Sequence, residues 1–566
     1  MQRLRSLVSL VAATGLAAVL SGGSSYAAAM PAAAVTAAPT PAAHSASSTA
    51  PRNVPRCSSN TMLCTEVYDS EDVFGAGTYV GHDEPSALFY SNTAGAGNHN
   101  RWVVTMPKDP PHAVVPGRTW NFQLRPAFWF GMAMCDTQSY PEQVSTCTPD
   151  SDTNITPLAQ HPGTAFMELQ FYPPGWVKQF ASQSCDVTSW CAALTIDSLS
   201  RDPVNGQDLN QTCQNQILGG IEYVNFAFVT KNGVPQGAPN PLDFNPAVGG
   251  APDSARDLFM NPGDRVEITM SDTAHGLRTD LRDLTTGQSG FMVASAANNF
   301  GQMQFAPTGT SCTVTPYDFH PMYSTSSTQT RVPWAAHSYN IAYSDELGHW
   351  DYCDAVAADG TCPTTAHEGD PHANSNTVND QEAAEGPHPA GDDDSCFNPP
   401  PPPSVQVSGC NGENDGFDGV PYHLSWPDGN TDLHPTSIEF TSPRTGRELE
   451  TNYRQVAFET DLPRVELTTC NRTTGVGCTL IPTTDDRVAA DFYPFFSLGR
   501  SGGQCRWAEG SFIPGFTQND FGGNVQYGPL LSQVYLAFGG HGATVTRIND
   551  FRQILPNNPC PAGAGD

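Results

Sequence analysis

The sequence predicts a mainly β, disulfide-stapled protein: a larger β-sandwich or jelly-roll module followed by a second, smaller β-rich module. Three observations lead there. Short apolar or alternating runs recur between Gly, Pro, Asn and Asp. No long segment carries a 3.6-residue period with caps at both ends. Sixteen cysteines, an even number, accompany 49 prolines and 51 glycines.

The runs include "RWVVTM", "TWNFQL", "AFMELQFY", "CAALTI", "EYVNFAFV", "DRVEITM" and "GFMVAS", then "SIEFTSP", "QVAFET" and "QVYLAFGG" further on. Their length, aromatic and β-branched content and flanking turn residues are those of strands. In "DRVEITMSDTAHGLRTDLRDLTTGQSGFMV", Val266, Ile268 and Met270 share one face. Leu277, Thr279 and Leu281 share another, with Arg278, Asp280 and Arg282 opposite. Period-two alternation buries the apolar set and leaves the charges wet. Thr285 to Gln288 supplies the turn, with Gly287 free to take a positive φ.

The chain begins with two arginines, an apolar stretch over residues 7–20 and small residues to Ala29. That is the pattern of a secretory signal over 1–29, too short for a comfortable span. An Ala/Pro/Ser-rich tether is expected over 30–56, the larger module over 57–362, an acidic, Pro-rich linker over 363–405 and the second module over 406–566. An alternative is one large domain with 363–405 as a surface loop. No second apolar run is long enough for a membrane span.

Export suits the cysteines, since an even count outside the cytoplasm favours disulfides and no zinc-type spacing occurs. Near neighbours such as Cys57 and Cys64, Cys135 and Cys147, and Cys185 and Cys191 could be clipped locally. A net charge of -31 argues against nucleic acid or an anionic membrane as partner. An extracellular polysaccharide is the partner class left open.

"FMELQFYPPGW" is the leading chemical candidate. On a strand, Glu168, Gln170 and Tyr172 share one face, with Met167, Leu169 and Phe171 on the other. Glycoside hydrolysis needs a second carboxylate about 5–10 Å from the first. Asp197 or Glu222 could supply it from a neighbouring strand. The competing expectation is a hydrogen-bonded structural glutamate. Tyr172, Trp176 and Trp129 could form a sugar-stacking platform, or else anchor the core. His349 and Asp351 have chelating spacing, but "HEGDPH" is not a metalloprotease motif. In "CNGENDGFDGVPY", Asn411, Glu413, Asp415 and Asp418 imitate the start of a calcium loop. Tyr422 stands where an EF-hand places its glutamate, so calcium there would be structural. The bland reading is an Asx-rich turn.

"RDLTTGQSG", from Arg282 to Gly290, resembles a strand–turn of eqolisin-type glutamic peptidases, β-sandwich enzymes acting at acid pH through a Glu and a Gln. The resemblance implies a sandwich and carries no catalytic residue onto this chain. "GHDEPS", "MELQFYPPGW" and "FETDLPRVE" resemble segments of large secreted microbial proteins, which implies export but no activity. The functional expectation is an extracellular binding or surface-interaction protein, with carbohydrate as the ligand class. The alternative is a hydrolase, glycosidase or acid peptidase, using Glu168 and a neighbouring acid.

Overall fold

The computed structural model describes residues 86–108, 120–121, 128–138, 163–174, 185–198, 201–213, 223–321, 340–345, 351–352, 436–460, 496–509, 517–521, 530–536 and 544–560, with interruptions of up to four residues. The fold is mainly β and antiparallel. Among the described residues the α-helix Pro246–Gly249 is a single turn, capped by Asn245. No described helix is long and apolar enough to cross a membrane.

Two large sheets hold most strands. The nine-stranded sheet runs, edge to edge, Leu530–Leu536, Thr544–Leu555, Gln455–Thr460, Ser86–Tyr90, Ile341–Asp345, Phe128–Asp136, Gly163–Tyr172, Cys191–Ser198 and Tyr223–Phe228. The ten-stranded sheet runs Ser289–Val293, Gly276–Asp283, Arg265–Thr273, His99–Thr105, Glu439–Thr441, Gln504–Glu509, Phe496–Ser501 and Thr517–Phe521. Arg444–Thr445 also pairs with His99–Thr105, and Thr451–Asn452 pairs with Arg444–Thr445.

Alternate residues of both sheets meet in one apolar core. Phe89, Phe130, Leu169, Leu194 and Tyr343 come from the first sheet; Trp102, Ile268, Leu281, Phe440 and Trp507 come from the second. Their rings touch across the gap: Trp102 and Phe130 have centroids 4.7 Å apart, and Tyr343 stacks on Phe440 at 4.7 Å. Fully burying such side chains stabilises by roughly 1.5–3 kcal/mol each, which makes this seam the main source of cohesion.

The hairpin forms as its alternation requires. Val266, Ile268, Met270, Leu277, Thr279 and Leu281 are buried, while Arg282 is exposed. Ile268 stands opposite Leu281, and Gly287 takes φ +78° in the turn.

Strands from 57–362 and from 406–566 pair with one another. Ser86–Tyr90 lies between Ile341–Asp345 and Gln455–Thr460, and His99–Thr105 pairs with Arg265–Thr273 and Glu439–Thr441. Both stretches thus enter both sheets. The expected signal, tether and 363–405 linker lie outside the described residues.

Three disulfides join described cysteines. Cys185–Cys191 is the local clip its spacing suggests. Cys213–Cys312 and Cys505–Cys560 span 99 and 55 residues, pairings that spacing did not offer. Cys135 is also disulfide-bonded.

Candidate functional site

Strand Gly163–Tyr172 separates its side chains as expected. Ala165, Met167, Leu169 and Phe171 enter the core, and Glu168, Gln170 and Tyr172 face the other way. These three form a relay along one face of the strand. The Tyr172 hydroxyl donates to Gln170 Oε1, and Gln170 Nε2 donates to Glu168 Oε2 at 2.6 Å. The amide thus presents its oxygen to the tyrosine hydroxyl and its nitrogen to the glutamate.

Neighbouring strands complete the setting. Glu168 stands opposite Gly131 on one side and Thr195 on the other, and Thr195 Oγ1 donates to the Glu168 carbonyl at 3.2 Å. A side chain at Gly131 would lie 2.5 Å from the Trp129 ring and 2.7 Å from the Met167 carbonyl. Only glycine lets the indole fold down beside Glu168. Trp129 is partly exposed, and its Nε1 has no hydrogen-bond partner among the described residues. Phe128 and Phe130, its chain neighbours, point into the core instead.

Asp197 faces Phe166 across the strand pair, one step diagonal from Glu168. Diagonal neighbours on one sheet face lie roughly 7–8 Å apart, within the range a carboxylate pair needs for glycoside hydrolysis. Access is the obstacle. Glu168 is 4% exposed and Asp197 2%. Next to them Tyr172, Cys185, Cys191, Ala193, Phe226 and Phe228 form a second apolar cluster on this outer face. The arrangement holds two carboxylates in protein rather than presenting them to a substrate.

The outer face of the ten-stranded sheet is open by contrast. His99, Ser271, Arg278 and Val293 stand in one cross-strand row, and Arg101, Thr269, Asp280 and Phe291 in the next. Arg278 grips Asp280 with two bonds, Nε to Oδ2 at 2.7 Å and Nη2 to Oδ1 at 2.5 Å. Its guanidinium also lies 3.9 Å from the Phe291 ring centroid. The hydrogen bonds to Asp280 raise the Arg278 pKa, so this cation is permanent. Gly233 packs against the same ring with φ +71°, and a side chain there would collide with Phe291.

Sequence reasoning did not single out Asp257. It is fully buried, and its Oδ2 accepts from Gln236 Nε2 at 2.5 Å and from the Asp253 N–H at 2.7 Å. Burial pushes its pKa up to about 7, partly countered by the Asp253 backbone bond. Its only sequence signal is a turn, "APDSARD", shared with many unperturbed aspartates.

Other expected site residues fall elsewhere. Glu222 and Trp176 lie outside the described residues, as do Asn411, Glu413, Asp415 and Asp418. Among the described residues no group of three or more His, Cys, Asp or Glu is arranged to hold a metal ion. No family model, curated protein or solved structure matches this chain.

Proposed function

We propose that this is an exported β-sandwich protein that binds extracellular carbohydrate on the open face of its ten-stranded sheet. The observation that supports this most directly is the Arg278–Asp280–Phe291 group. A guanidinium held along one edge, through Nε and Nη2, and backed by a ring offers a flat, preorganised surface at little entropic cost. Polar neighbours His99, Arg101, Thr269 and Ser271 stand in the same two cross-strand rows and could meet a hydroxyl-rich ligand. The disulfides and the expected signal at 1–29 support export.

Retention on a panel of immobilised neutral and acidic polysaccharides tests this reading. The wild-type chain is expected to bind at least one saturably, and Arg278→Ala to weaken that binding about tenfold or more with unchanged melting. Equal binding by the variant would remove the site.

The second reading, hydrolysis by Glu168 and Asp197, draws on their diagonal placement. It predicts new reducing ends that vanish in Glu168→Gln. Turnover surviving in that variant would exclude Glu168 as the acid.

A further inference from the structure

The open face of the ten-stranded sheet reverses the charge balance of the chain. Over the full sequence 57 Asp and Glu stand against 26 Lys and Arg. Across the strands from Ser289–Val293 to Gln504–Glu509, register places Arg101, Arg265, Arg278, Arg282, Arg444 and Arg506 on this face. The acids that share it are Glu267, Asp280 and Glu439. Each of these already has an arginine beside it. Arg278 grips Asp280, Arg506 Nη1 lies 3.6 Å from Glu439 Oε2, and Arg282 stands opposite Glu267. The excess charge of the face is therefore positive.

Arg101 and Arg444 concentrate that excess. They stand directly opposite each other where Arg444–Thr445 pairs with His99–Thr105. Directly opposed residues have Cβ atoms about 4.5–5.5 Å apart, and like charges at that spacing destabilise a sheet. A carboxylate laid between two guanidinium groups turns the repulsion into charge-assisted, bidentate hydrogen bonding. The pair belongs to a cross-strand row that reads Phe291, Asp280, Thr269, Arg101, Arg444 and Asn452. With neighbouring strands about 4.8 Å apart, the row is roughly 24 Å long, room for several sugar rings in line. Thr269 and Asn452 flank the arginines within it with groups that suit sugar hydroxyls.

We propose that this row binds a polysaccharide bearing carboxylate groups, with Arg101 and Arg444 receiving a carboxylate. The proposal rests on the carbohydrate reading of the same face and narrows it to the acidic class. The acidic remainder of the chain repels such a polymer only at range. At physiological ionic strength charges are screened beyond about 8 Å, so contacts at the arginines persist while distant acids fade. Nucleic acid fits less well. A duplex carries one charge per about 1.7 Å, far denser than one carboxylate per sugar, and the small positive excess of the face neutralises little of it.

Retention of the full-length chain on immobilised polygalacturonate and alginate, each compared with its methyl ester, tests this at about 0.15 M salt. The ester keeps the sugar backbone and removes the charge. Retention is expected on the acids and not on the esters, and should fall as salt rises. Arg101→Gln and Arg444→Gln should each weaken it about tenfold or more, and Arg101→Lys, which keeps the charge and loses the fork, by less. An unchanged unfolding midpoint checks that each variant is folded. Equal retention of acid and ester would overturn the acidic assignment and leave carbohydrate binding on this face standing. Retention of neither acid would also overturn it, and if no neutral polysaccharide were retained either, the carbohydrate reading itself would fall. Tighter retention on single-stranded DNA than on either acid would make the surface a nucleic-acid site instead.

Discussion

The outer faces of the two sheets obey one strand geometry and end in opposite conditions. Cys191–Ser198 and Tyr223–Phe228 are buried along their whole length, so both faces of that sheet edge are covered. His99–Thr105 alternates between intermediate and buried, so only one face of its sheet is covered. On the closed face, polar side chains satisfy one another: Tyr172, Gln170 and Glu168 spend their bonds in series. On the open face, Arg278 and Asp280 pair yet stay more than a third exposed. A carboxylate's company is therefore a poor guide to its availability. The proposed ligand contact lies on the face whose charges remain wet.

The largest expected effect breaks the closed face directly. Phe226 touches Phe228 at 5.1 Å and Phe244 at 5.5 Å, and Phe226→Ala should lower stability by about 3–5 kcal/mol in urea unfolding. A loss below about 1 kcal/mol would mean that this face is loosely covered and that Glu168 is reachable. An intermediate effect comes from the segment connecting the two faces, where Thr230 bridges to both Asp257 and Phe291. Asp257 is raised from the ordinary 3.8 to about 7, so the folded chain keeps a proton that the unfolded chain releases. Its contribution is complete below the unfolded value and is lost as pH rises through about 7. Melting temperature should therefore fall between pH 4 and 7 in the wild type, and Asp257→Asn should flatten that slope. An identical slope in the variant would assign the pH dependence to other groups. The smallest effect is on the open face: Arg282→Ala should change stability by less than about 0.5 kcal/mol, checked by the same unfolding midpoint. A larger loss would show the open face to be structurally engaged.

Local alternation made much of the architecture legible. Spacing alone puts Val266, Ile268 and Met270 on one strand face, and all three are buried; it likewise separates the two faces of the strand carrying Glu168. Gly287 marked its turn because few other residues accept that φ. Cys185 and Cys191 could be matched because they are six apart. What escaped depended on distant partners. Cys213 and Cys505 meet their partners only after the sheets assemble, and period two says which face a residue takes without saying whether that face is covered. The burial of Glu168 and Asp197 and the raised pKa of Asp257 are both of this kind. A change in composition such as that at 363–405 marks a break in character and says nothing of pairing, and strands from either side of it share both large sheets.

That pairing has a consequence in time. Ser86–Tyr90 and His99–Thr105 are made early, yet each is flanked by a strand beyond residue 438. Until that distant stretch has been synthesised, both early strands offer raw edges to whatever is near. Closure must wait for contacts across more than three hundred positions, a topology that folds slowly. A chain that cannot finish early stays threadable, and a copy cut short before residue 439 would leave sticky edges rather than a smaller working protein.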